Sequence, residues 1–116
     1  MNPPLEQEVS QLHAEICAGL ADPTRILILY ELAEGPRTVT QLTEALNLSQ
    51  PMVSRHLKVL RERGMASATR SGAMVDYKLA DPRLIEAMDL LRAVLRDHLN
   101  HRAELMDTFA LKEAQL

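Results

Sequence analysis

Residues 38–63, TVTQLTEALNLSQPMVSRHLKVLRER, constrain the fold more than any other stretch of this chain. Val39, Leu42, Ala45 and Leu46 recur at helical spacing and mark one apolar face. Asn47, Leu48 and Ser49 interrupt that pattern with residues suited to a turn and a helix start. Val53, Leu57 and Leu60 then recur at i, i+4 and i+7, which defines a second apolar face. The other positions of that second helix include Gln50, Met52, Ser54, Arg55, His56, Lys58 and Arg61, a polar and positively charged surface. Two short helices joined by a turn of about 3–4 residues form a helix-turn-helix, an arrangement whose second helix enters the DNA major groove.

A length of 116 residues predicts one domain, residues 1–116. Aromatic residues make up 3% of the chain and Trp is absent, so the core is built from Leu, Ile, Val, Ala and Met, which suits helices. The net charge of -3 is unevenly spread. Between residues 50 and 78, Arg55, Lys58, Arg61, Arg63, Arg70 and Lys78 face only Glu62 and Asp76, a local +4 that leaves -7 elsewhere. A basic segment within an acidic chain is sufficient for phosphate binding. The single cysteine, Cys17, excludes an intrachain disulfide. No apolar run reaches ~18 residues, so no membrane partner is expected. The start MNPPLEQEVSQ lacks the basic and apolar regions of a secretory signal, which points to the cytoplasm. No nucleophile with a plausible base, no Gly-rich phosphate loop and no carboxylate pair in an apolar run is present, so an enzyme is not expected.

Along the chain, residues 1–4 read as a loose tail. Leu5, Val9, Leu12, Ile16 and Leu20 predict a first helix over residues 5–20. Asp22-Pro23 is a helix start, with Asp as N-cap and Pro at the first helical position. That second helix runs to about Ala33, with Ile26, Leu29, Tyr30 and Ala33 on one side, and ends at Gly35-Pro36. Thr38 or Thr40 caps the next helix, Ser49 the one after it, and Gly64 terminates the helix-turn-helix. Residues 65–79 then split into two strand-like runs around Ser71-Gly72, a hairpin signal. A hairpin directly after the second motif helix is a wing, whose tip residues Arg70, Ser71 and Gly72 suit the sugar-phosphate backbone or the minor groove.

The last helix is expected over residues 81–111, opened by Asp81-Pro82. Leu84, Met88, Leu91, Leu95 and Leu99, then Leu105, Met106 and Phe109, form a stripe longer than a small domain needs for itself. This stripe, with Leu5, Val9, Leu12 and Ile16 of the first helix, predicts a homodimer. The predicted fold class is mainly α with a small β-hairpin wing: a winged helix-turn-helix of about five helices, dimerising through its first and last helices.

With these residues placed, the chain resembles the ArsR family of bacterial winged-helix repressors. LADPTRILILYEL looks like the family's second helix, and LTEALNLSQPMVSRHLKVLRERGM like its helix-turn-helix. ATRSGAMVDYKLAD looks like its wing, and the long last helix fits as well. The resemblance covers about residues 10–100. It implies a homodimer that occupies a double-stranded DNA operator and blocks transcription until an inducer weakens binding. It also implies that Ser49 starts the recognition helix and that Gln50, Ser54, Arg55 and His56 face DNA. Gln pairs with adenine and Arg with guanine, whereas Ser and His reach bases or phosphates. Lys58 then touches phosphate, and Thr38, Thr40 and Gln41 meet the backbone from the first motif helix.

The sequence departs from the family's metal-sensing patterns. VTQLTEAL carries no thiol where the family's Cys-x-Cys type site lies, and Arg83 and Val94 stand where the last-helix zinc site has His. Two weaker effector candidates remain. Asp97, His101 and Glu104 share a face of the last helix, with His98 beside them, and this donor set suits a divalent metal such as zinc, nickel or cobalt. His13 and Cys17 stand at i, i+4, open to a metal or a thiol-modifying effector, although Cys17 also reads as a packed core residue beside Ile16 and Leu20. Release by an unknown effector, effector-independent autorepression and a helical protein-interaction module are the functional alternatives.

Overall fold

A computed structural model describes residues 4–115. Of the expected tail over residues 1–4, only Pro4 falls within the described residues. Its carbonyl accepts hydrogen bonds from the Gln7 and Glu8 amides at 3.0 and 3.1 Å and so opens the first helix. The chain forms two compact units, Met1–Pro82 and Arg83–Leu116.

In the first unit, helix α1 covers residues 5–20, but not as a uniform α-helix. An α segment (Leu5–Leu12) passes through a π-helical turn (His13–Cys17) into a last α turn (Ala18–Leu20). A π turn displaces carbonyls from the i→i+4 ladder. Here the Arg63 guanidinium supplies donors, reaching the Ala14 carbonyl at 2.6 Å and the Glu15 carbonyl at 3.1 Å. Gly19 lies close by. A Cβ there would sit 2.8 Å from Met65 Sδ and 2.9 Å from Arg63 Cδ, so glycine permits the approach of these segments.

Helix α2 (Pro23–Ala33) starts as expected, with Asp22 accepting from the Thr24 and Arg25 amides at 2.8 and 3.3 Å. Its buried face is Ile28, Leu29 and Leu32. The expected face was rotated from this one: Ala33 is exposed, and Ile26 and Tyr30 are half-buried. Helix α3 (Val39–Leu46) begins with a reciprocal cap, Thr38 Oγ1 accepting from the Gln41 amide and Gln41 Oε1 from the Thr38 amide. It ends at Asn47, whose left-handed backbone (φ 53°) makes the tight turn into the next helix. Helix α4 (Gln50–Glu62) is capped by Ser49 and stops before Gly64 (φ 72°).

Strands β1 (Ala66–Ser71) and β2 (Met74–Leu79) pair antiparallel, from Ala66 opposite Leu79 to Ser71 opposite Met74. The two-residue turn is Gly72-Ala73 instead of Ser71-Gly72, with glycine taking the positive φ of 64° at its first position. Arg37 adds an isolated bridge to β2 by exchanging backbone hydrogen bonds with Tyr77 at 3.0 and 2.8 Å, which ties the approach to α3 onto the wing. The core of this unit gathers Ile28, Leu29, Leu42, Val53, Leu57, Leu60 and Met65, none of which is exposed.

The second unit is helix α5 (Arg83–Ala114). It begins two residues after Asp81, not at it, and continues past residue 111. Among the described residues, five helices and a hairpin make a winged helix-turn-helix.

Candidate nucleic-acid interface

The geometry of α4 follows from its periodicity. Val53, Leu57 and Leu60 turn inward, so positions on the opposite side face solvent. Gln50, Ser54, Arg55, Lys58 and Arg61 are all exposed there. Among the described residues, the side chains of Arg55, Lys58, Arg61 and Arg70 form no hydrogen bond or ion pair, so their donors remain open to a ligand. Exposed cations without intrachain side-chain partners, carried on a helix packed against the core, are suited to an anionic surface.

The first motif helix presents Thr40 and Gln41 exposed and Thr38 half-buried. Thr38, Gln41 and Ser49 use acceptor atoms in capping. The Gln41 amide NH2 and the two hydroxyl protons are left as donors, which is what phosphate contact requires. Residues 38–41 share one open groove with Met74, Val75 and Tyr77 of the wing. At the wing tip, Arg70, Ser71 and Gly72 are exposed.

His56 is the exception among the expected DNA-facing residues. It is 9% exposed, and its Nδ1 lies 3.3 Å from Nη1 of Arg25. Position 56 follows Val53 by three and precedes Leu60 by four, so it falls within the apolar face, not opposite it. The resemblance placed it on DNA, but the helical period buries it. Arg25, which the sequence reading passed over, is what makes that burial tolerable. The signal for it was a charged residue in the apolar run of α2, because a cation turned toward a core must find acceptors.

Asp22 sits beside this pair. Burial alone would raise the pKa of its carboxyl. The backbone N–H groups of Arg25 and Thr24, with the charge of Arg25, outweigh burial and hold it below its ordinary value.

Both effector candidates lie on exposed surface. Cys17 is exposed, in contrast to its reading as a packed residue, and His13, Asp97, His98, His101 and Glu104 are exposed as well. The described residues of the chain bring together no group of three or more His, Cys, Asp or Glu side chains able to hold a metal ion.

The expected dimer stripe is largely open. On α1, Leu5, Val9 and Leu12 are 75%, 51% and 49% exposed, while Ile16 is half-buried. On α5, Leu91, Leu95 and Leu99 are exposed, as are Leu105, Met106 and Phe109. Leu84 is half-buried and Met88 buried, which withdraws these two from the open part of the stripe. No helix among the described residues is long and apolar enough to cross a membrane.

Fold and surface together define a winged helix-turn-helix with a polar, cationic second motif helix. Comparison with known proteins narrows the class. The sequence profile of the bacterial regulatory protein, arsR family, matches residues 22–68. The chain is 36% identical over 86 residues to the HTH-type transcriptional regulator NmtR of Mycobacterium tuberculosis, covering 74% of this chain and 72% of NmtR. It is 42% identical over 81 residues to the HTH-type transcriptional repressor SmtB of the same species, covering 70% of this chain. The match spans 60% of SmtB's length. The solution structure of a homodimeric winged helix-turn-helix DNA-binding domain from Mycobacterium bovis matches with a TM-score of 0.72 at 26% identity. That match covers 86% of this chain and 93% of the other. The chain belongs to the ArsR family, and these relatives are transcriptional regulators, not enzymes.

Proposed function

We propose that this protein is a transcriptional repressor that binds operator DNA as a homodimer, acts in the cytoplasm and catalyses no reaction. Residues 1–116 act as one winged helix-turn-helix domain, with α4 as recognition helix. The observation that carries the reading is the outer face of α4: Gln50, Ser54, Arg55 and Lys58 exposed opposite fully buried Val53, Leu57 and Leu60. Gln50 and Arg55 suit base edges, and Ser54 suits bases or phosphates. Lys58 with Thr38, Thr40, Gln41 and Ser49 suits phosphates around the major groove, and Arg70, Ser71 and Gly72 suit the adjacent backbone. The open stripes of α1 and α5 are the dimer surfaces: Leu5, Val9 and Leu12 with Leu91, Leu95 and Leu99. The relation to a homodimeric DNA-binding domain supports this arrangement.

The test is titration of the purified protein against DNA from immediately upstream of its own gene and against random DNA, at two salt concentrations. The reading expects a dimer that prefers the upstream DNA and binds it less tightly as salt rises. Absence of binding to any DNA at low salt would replace it with a protein-interaction module. The same assay then tests metals and thiol oxidants as releasing effectors.

A further inference from the structure

Arg25 is half-buried in α2 and donates in three directions. Its Nε reaches the Gly19 carbonyl at 2.7 Å and its Nη2 the Ala18 carbonyl at 3.3 Å, both in the last turn of α1. Its Nη1 meets Nδ1 of His56 at 3.3 Å, on the inner face of α4. A guanidinium has donors only, so Nδ1 is the acceptor and the imidazole keeps its proton on Nε2. One side chain thereby joins α1, α2 and the recognition helix.

We infer that Arg25 is a positioning residue for base recognition: through His56 it fixes the rotation of α4 about its own axis and so aims Gln50, Ser54 and Arg55. The inference rests on the DNA-binding reading above. The other contacts on the inner face of α4 are apolar and weakly directional, and Val53, Leu57 and Leu60 can each accommodate a small rotation. A charge-assisted hydrogen bond is directional and cannot. For side chains about 5–6 Å from the helix axis, a rotation of about 20° displaces a tip by about 2 Å. A bidentate base contact does not survive that displacement, whereas a phosphate contact made by a flexible Lys does. Loss of the Arg25–His56 contact therefore lowers specificity before it lowers general affinity for DNA.

Three variants, each checked by thermal melting, decide the matter on operator and random DNA. His56→Leu packs in the apolar face but has no acceptor. His56→Asn packs less well but places an oxygen where Nδ1 stood. Arg25→Met removes the donor. The expected result is a loss of about tenfold in operator affinity for His56→Leu and for Arg25→Met, with random-DNA affinity changed less than about twofold. His56→Asn stays closer to wild type than His56→Leu, and the double variant Arg25→Met/His56→Leu is no worse than either single one. The inference is overturned by His56→Leu binding operator better than His56→Asn, by equal losses on both DNAs, or by additive losses in the double variant. If His56→Leu does not fold, Arg25→Met decides alone through its operator-to-random ratio. Failure of both to fold would assign the pair to stability and overturn the inference. Wild-type protein that binds neither DNA would instead overturn the functional reading on which this stands.

Discussion

Helices α4 and α5 both repeat apolar residues every three or four positions and meet opposite fates. In α4, Val53, Leu57 and Leu60 are wholly buried. In α5, Leu91, Leu95 and Leu99 are 59%, 53% and 48% exposed. The comparison separates two things that periodicity conflates. A 3.6-residue repeat says which side of a helix avoids water, but not which molecule covers it. On α4 the chain covers the apolar side itself, and the opposite side is left with Gln50, Ser54, Arg55 and Lys58. On α5 the apolar side is left open, and a second copy is the cover proposed here.

The sharpest way to break that contrast is to damage each stripe in turn. Leu57→Ala opens a cavity in a packed core and should lower unfolding stability by about 2–5 kcal/mol, read from denaturant melts. Leu95→Glu should leave the monomer folded but abolish the dimer, and tight operator binding with it, as read by sedimentation and titration. A Leu95→Glu protein that stays dimeric would show that the α5 stripe does not hold the dimer. On the polar side of α4, Arg55→Ala should cost about 1–3 kcal/mol of operator affinity without moving the melting temperature. Unchanged affinity would remove Arg55 from the base-reading set.

Smaller effects test the support beneath α4. Asp22→Ala removes the cap of α2 and should cost about 0.5–2 kcal/mol of stability. Because folding holds the Asp22 carboxyl below its ordinary value, its ionisation stabilises the fold at pH above about 4, the unfolded value, and that contribution is lost as pH falls through the lower folded value. The stability gap between wild type and Asp22→Ala should therefore narrow in acid; a gap independent of pH would show that the charge contributes nothing. Arg70→Ala should weaken binding to all DNA sequences alike and reduce the salt slope by about 1. A sequence-dependent loss would mean that the wing reads bases.

Legibility from sequence tracks the distance over which each feature is satisfied. Asp22 caps α2 through amides two and three residues away, Thr38 and Gln41 cap each other, and Ser49 caps α4 three residues on. The start of α3 was narrowed to Thr38 or Thr40, and the Asp22 and Ser49 starts were readable, because the chemistry is local. The π turn in α1 was not, because its displaced Ala14 and Glu15 carbonyls find their donor in Arg63, 49 and 48 residues away. The Arg25–His56 contact joins residues 31 apart and was hidden for the same reason. His56 shows a second kind of miss. Its polar character and the family resemblance both placed it on DNA, while its position three residues after Val53 placed it inside. Where identity and period disagree, the period governs the direction of a side chain on a packed helix.

Hydroxyl-radical footprinting on the upstream DNA tests the central claim most directly, that two copies each place α4 in a major groove. The account predicts two protected half-sites about one helical turn apart, roughly 10–10.5 base pairs or a multiple of it, related by a two-fold axis. A single protected half-site, or uniform protection without a repeat, would contradict it.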